Sequence, residues 1–213
     1  MPDSSFTSTP FLPAPAEELL QSGQFNTNVE VILGTCKDEG LDIGAWTDPD
    51  FFEDLRNNWE TLGVARLLGL TKMSDVTGED VEKARKLLEF YVGGVENVTM
   101  ANVQSLVDMM TDSEFLFGVH KKIGYLVDQG ITVYHYVLTH RGQFSITQLY
   151  GVPETVLPFL TISSSHSPPS QHGVSHGDDL IYEWEPVFGT DWDTESHKLS
   201  GDVSMRSFSR GNA

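Results

Sequence analysis

The sequence predicts an α/β protein, on three observations. Two stretches of strand length, 29–36 and 131–139, carry runs of apolar residues, the mark of strands buried on both faces. Other segments repeat apolar residues at three- and four-residue spacing, which is helical. The order helix, strand, helices, strand, loop, helix is the alternation of a mainly parallel sheet covered by helices. Two strands are few for such a sheet. The sequence carries no internal repeat.

The elements follow in order. Residues 1–10 read as coil. "PAPAEELLQSG" predicts a short helix, with Pro15 near its start, acids in its first turn and Gly23 just past its end. "VEVILGTC" is the first strand, and "KDEG" is the loop that leaves it. Asp48-Pro49 starts a second helix, the aspartate as cap and the proline in the first turn. In "TGEDVEKARKLLEFYVGG" the apolar positions 81, 84, 87, 88 and 91 share one helical face, and two glycines stop it. A further helix is expected over 99–110, carrying Val103, Leu106, Val107 and Met110. "TDSEFLFGVHKKIGYLVDQG" is expected to place Phe115, Val119, Ile123 and Leu126 on one face, capped by Thr111 or Asp112 and ended by Gly130. "ITVYHYVLTH" is the second strand, apolar enough on both faces to lie inside a sheet, so Tyr134 and Tyr136 read as sheet packing rather than substrate contacts. "SSSHSPPSQHG", 163–173, is a loop without periodicity. A last helix is expected between 194 and 209.

Composition narrows the function. The chain has 213 residues, enough for one sizeable core or two small domains. Acids outnumber bases 31 to 13, a formal net charge of −18. Phosphate binding needs basic patches, so this charge argues against a nucleic-acid partner. No run of 18 apolar residues exists, so no membrane span is expected. The start, "MPDSSFTSTPFLPAP", has neither the basic nor the apolar region of a signal peptide. Cys36 is the single cysteine, which excludes an internal disulfide and a cysteine-based zinc site. It reads as a small buried hydrophobe at a strand end. His120, His135, His140, His166, His172 and His197 show no metal-ligand spacing.

Two motifs carry chemistry. Gly173-Val174-Ser175-His176-Gly177 matches the G-x-S-x-G of a nucleophile elbow. An elbow needs an apolar strand before the serine and a helix after it. "SSHSPPSQH" precedes this one and cannot be a buried strand, so Ser175 reads as an ordinary loop serine. His176 stands in a glycine-flanked loop after a strand, where α/β enzymes place chemistry. Glu39 stands in a second loop at the end of a strand. A buried carboxylate beside an imidazole fixes its tautomer and stabilises the imidazolium formed in proton transfer.

At these residues the sequence resembles the type-B carboxylesterases and cholinesterases. "FLPAPAEELLQSGQFNTNVEVILGTCKDEGL" is similar to the family segment ending in G-x-x-K-D-E-G. "TDSEFLFGVHKKIGYLVDQGITVYHYVLTHRG" resembles its later helix–strand pair. "VSHGDDLIYEWEPVFG" resembles H-G-[DE]-[DE]-L…F-G, with Trp184-Glu185-Pro186 as an insertion. "SFSRGN" resembles the F-A-x-x-G-N-P that closes a late helix. The four stand in the family's order over nearly the whole chain.

The resemblance implies a partial α/β-hydrolase fold over 1–213, the C-terminal half of the domain without the nucleophile half or the last strand. It implies Glu39 as triad acid and His176 as triad histidine. The serine and the oxyanion-hole glycines are expected upstream of this sequence. The activity implied is hydrolysis of a small-molecule carboxylic ester, without metal or organic cofactor. Trp46, Phe115 and Phe117 are the candidates to line an acyl pocket. Asn97-Val98-Thr99 is a glycosylation sequon, in keeping with the family's secreted or luminal habit. The alternative is a non-catalytic cholinesterase-like adhesion or interaction domain, which would need neither Glu39 nor His176.

Overall fold

The computed structural model describes residues 11–41, 49–68, 70, 72–140, 145–146 and 173–180, with the main chain alone at 49 and 203–208. They fall into two compact units. One comprises the described residues of Met1–Leu33, Phe117–Tyr136 and Met205–Ala213; the other, those of Gly34–Leu116 and Val137–Ser204.

In the first unit, helix α1 spans Ala16–Ser22, opening after Pro15 with Glu17 and Glu18 in its first turn. It ends at Gly23, whose φ of 66° is the left-handed conformation that glycine adopts without strain. Helix α6, Phe117–Asp128, lies against α1. Ile123 and Leu126 of α6 are buried with Ile131 and Val133, and Leu20, Phe25, Val31, Leu33 and Val119 pack on this cluster. The Tyr125 hydroxyl donates to Glu17 Oε1 at 2.6 Å, and Lys121 Nζ lies 2.7 Å from the same oxygen. This surface pairing adds little beside the apolar contact.

Strands β1, Val31–Cys36, β2, Val133–Leu138, and β3, Val203–Phe208, form one sheet in the order β1-β2-β3. Val31 N donates to Thr132 O and Lys37 N donates to Leu138 O. Six residues along β1 match six along β2, so the two strands are parallel. The described residues are therefore mixed helix and strand, with a small sheet that contains a parallel pair.

The structure corrects four expectations. The segment 203–208 is a strand, where a helix over 194–209 was expected; Val203 and Met205 alternate with Ser204 and Arg206, the period of a strand. The rest of that span lies outside the described residues. β3 also supplies a strand beyond β2, which makes β2 the central one. β1 is not buried on both faces: Ile32 is 63% exposed, because no described element covers its side. Finally, no cap separates 99–110 from 111–130. A turn of 3-10 helix, Met100–Asn102, runs into α5, Val103–Met110, then into a π-helical turn, Thr111–Leu116, and on into α6. The wider π turn changes the facing of residues after it, so Phe115 does not join Val119, Ile123 and Leu126 in their cluster.

The second unit is mostly helical. It holds α2, Pro49–Asn57, with the proline at its first position; the cap expected at Asp48 lies outside the described residues. A π turn, Trp59–Gly63, leads into α3, Val64–Leu67. Helix α4, Gly78–Val92, starts at a capping box in which Thr77 and Asp80 exchange hydrogen bonds, and stops at Gly93. Ala84 and Leu88 of α4, Val103, Leu106 and Val107 of α5, and Val64 and Val98 are wholly buried in one core with Leu41, Phe52 and Trp59. This core is the platform for the turn that follows β1.

Candidate functional site

Glu39 opens a 3-10 turn, Glu39–Leu41, directly after β1. The turn rests on α5 and its π-helical extension. A Cβ at Gly40 would stand 2.5 Å from Val107 O and 2.7 Å from Met110 Cβ, so only glycine fits. The Gly40 N–H donates to Thr111 Oγ1 at 3.0 Å. These contacts seat the turn that carries Glu39 on α5.

The second loop comes beside the first through Asp38. Its N–H donates to Val174 O at 3.0 Å, and its Oδ2 accepts from Val174 N at 2.9 Å. Asp38 and Ser175 form a parallel bridge. The Gln104 amide reaches Asp38 Oδ1 at 3.2 Å and Asp108 Oδ1 at 2.8 Å. Gly173, at φ 72°, lets the chain pass against the Leu41 side chain, where a Cβ would collide.

These two loops bring Glu39 and His176 together. Glu39 Oε2 lies 2.7 Å from His176 Nδ1, and Glu39 Oε1 accepts from the Cys36 N–H at 2.7 Å. The carboxylate side chain is 6% exposed, the imidazole 52%. A carboxylate this buried needs hydrogen bonds on both oxygens, and it has them. The charged acceptor favours the tautomer with the proton on Nδ1, which leaves the Nε2 lone pair free. Among the described residues Nε2 carries no hydrogen bond. The Phe115 ring lies 4.9 Å from the imidazole, tilted by 44°. The pair can therefore take a proton at Nε2 and hold the resulting cation against Glu39.

The other candidates are placed as follows. Ser175 is wholly buried and its hydroxyl has no hydrogen-bond partner among the described residues, the opposite of an exposed nucleophile. Cys36 is buried; its thiol is pushed up by burial, then by the charges of Asp179 and Glu39, against a main-chain hydrogen bond from Asp179. Phe117 is 67% exposed at the start of α6. Trp46 lies outside the described residues. Asn97 ends a 3-10 turn, and its Nδ2 donates to Val92 O at 2.8 Å in a partly buried position. Among the described residues no group of three or more His, Cys, Asp or Glu could hold a metal ion, and no helix is long and apolar enough to cross a membrane.

Asp38 and Asp178, both 2% exposed, organise the site but were not singled out from sequence. Each sits beside a candidate, in K-D-E-G and H-G-D-D, and adjacency to the candidates was the only signal available. Compared with models of protein families, the chain matches the carboxylesterase family over residues 3–208.

Proposed function

We propose, for a chain that belongs to the carboxylesterase family, that Glu39 and His176 are the acid and the general base of an ester-hydrolysing triad. The observation that carries this is the 2.7 Å contact between a buried carboxylate and a half-exposed imidazole. A general base of this kind works on a nucleophile within hydrogen-bond reach of its second ring nitrogen.

The nucleophile is assigned to a serine outside this sequence, because its one G-x-S-x-G surrounds the buried Ser175. His176 Nε2 takes the serine proton as the oxygen attacks the ester carbonyl. Glu39 holds the imidazolium through Nδ1–H. The intermediate collapses, and His176 returns the proton to the departing alcohol oxygen. A water, deprotonated by the same Nε2, then attacks the acyl-serine, and Nε2 gives that proton to the serine oxygen as the carboxylic acid leaves. Phe115, whose ring lies tilted beside the imidazole, is assigned to one wall of the acyl site. On this reading β1 and β2 are neighbouring strands of a larger α/β-hydrolase sheet, and the chain is the C-terminal part of a carboxylesterase domain. A non-catalytic interaction domain has no use for a carboxylate buried on an imidazole.

The test joins this chain to the upstream half of a relative that supplies the serine elbow and oxyanion donors. Glu39→Gln is expected to lower ester turnover about 10⁴-fold, by analogy with the same change in the serine-protease triad. His176→Ala is expected to lower it at least as far. Turnover unchanged by His176→Ala would sink the assignment.

A further inference from the structure

We propose that Asp178 is a positioning residue that fixes the His176 ring by bracing the main chain on either side of it; this rests on the reading of His176 as general base. The imidazole is held at its tip by Glu39 and by the Phe115 face, and is otherwise half exposed. Its place therefore depends on where the loop sets its Cα. That loop is a turn closed twice by one residue. Asp178 N donates to Ser175 O at 3.0 Å, and Asp178 Oδ2 accepts from Ser175 N at 2.9 Å. His176 lies inside this closure.

The same carboxylate ties the turn to a distant segment. Oδ2 accepts from Ser145 Oγ at 2.9 Å and Oδ1 accepts from Ile146 N at 2.7 Å. Asp178 is 2% exposed, and a buried carboxylate is tolerated only when donors surround it. Two of these donors are main-chain N–H groups, on different oxygens, and they cannot reverse their role. Asp178→Asn replaces one acceptor oxygen by an NH₂. In either orientation of the amide, one of the N–H groups of Ser175 and Ile146 then faces a donor. The brace opens on one side with almost no change of volume. A reacting group must be held to about half an ångström, so this loosening is expected to separate Nδ1 from Glu39.

Tautomer state reads this directly in the chain as it stands. Histidine ¹⁵N NMR at a pH where the imidazole is neutral, with His176→Ala to assign the signal, is expected to show His176 with its proton on Nδ1. Asp178→Asn is expected to lose that preference and mix in the Nε2–H form, with several-fold faster exchange of the Nδ1 proton with water. A role in stability alone would lower Tm and leave the tautomer untouched, and that result overturns the proposal. If Asp178→Asn does not fold, Ser145→Ala removes one donor only; faster Nδ1 proton exchange supports the proposal and unchanged exchange overturns it. A wild-type His176 already protonated on Nε2 would defeat the reading of the Glu39–His176 pair itself, and the positioning role with it.

Discussion

At the scale of single residues, the Ser175 hydroxyl is buried next to the histidine and has no hydrogen-bond partner among the described residues. An unsatisfied buried hydroxyl costs about 1–3 kcal/mol. Ser175→Ala removes that cost at small loss of contact. It is expected to raise the urea midpoint, by about 1 kcal/mol in stability, and to leave the His176 tautomer as it is. A serine-directed organophosphate is expected to leave this chain unlabelled at Ser175, and labelling there by mass spectrometry would overturn its structural role. Asp108 gives a pH test. Burial raises its pKa, the Gln104 hydrogen bond opposes, and the Asp38 charge adds to the rise. The folded state then binds that proton more tightly than the unfolded state. Its contribution to stability is present below the ordinary carboxylate pKa of about 3.9 and is lost as pH rises through the raised value. Asp108→Asn is therefore expected to stabilise at pH 7, by up to about 0.5 kcal/mol because the group is partly exposed. The gain should vanish below pH ~3, in denaturant titrations at the two pH values.

At the scale of elements, two joints hold the site's platform. The capping box of α4 satisfies main-chain donors that the helix leaves unpaired. Thr77→Ala is expected to cost about 1 kcal/mol. Hydrogen bonds from the Thr77 side chain, then from its main chain, hold the Asp80 carboxyl below its ordinary pKa. A depressed pKa gives stability that is present above the ordinary value and lost as pH falls through the depressed one. The penalty of Thr77→Ala should accordingly shrink in acid, which thermal unfolding at two pH values will read. The second joint is the Gly40 turn on α5. Gly40→Ala forces a methyl against Val107 O and Met110, an overpacking that costs about 1–3 kcal/mol. Because Glu39 is the next residue, the same change is expected to abolish the Nδ1–H signature of His176, whereas Thr77→Ala keeps it.

At the scale of the whole molecule, several large apolar side chains are exposed among the described residues. Ile32, Phe90 and Phe117 are exposed, and β1 pairs with β2 alone among the described residues. An open edge offers unpaired N–H and C=O groups as a template for association. The purified chain is expected to bind a hydrophobic dye and to associate at physiological ionic strength, while its charge of −18 disperses it at low salt. A monomer with a sharp cooperative transition and no dye binding would show that the chain satisfies its own surfaces.

The sequence by itself determined what local chemistry dictates. Helices α1 and α4 were legible from Pro15, Gly23, the apolar face at 84 and 88 and the paired glycines, because caps and periodicity act within one turn. The strands at 31–36 and 133–138 were legible from their apolar runs. Glu39 was readable as a loop residue after a strand and His176 as one in a glycine-flanked loop, each signal weak alone. Tertiary structure decided what depends on distant partners. The exposed side of β1 at Ile32 depends on which layers cover it, and residue type carries no record of that. The π turn at Thr111–Leu116 moved Phe115 from a helix face to the imidazole, through one change of pitch. Most of all, Asp38 and Asp178 took their roles from hydrogen bonds to Val174, Ser145 and Ile146. An aspartate in a loop is ordinary in sequence. What it braces exists only once the chain has brought those donors to its carboxylate.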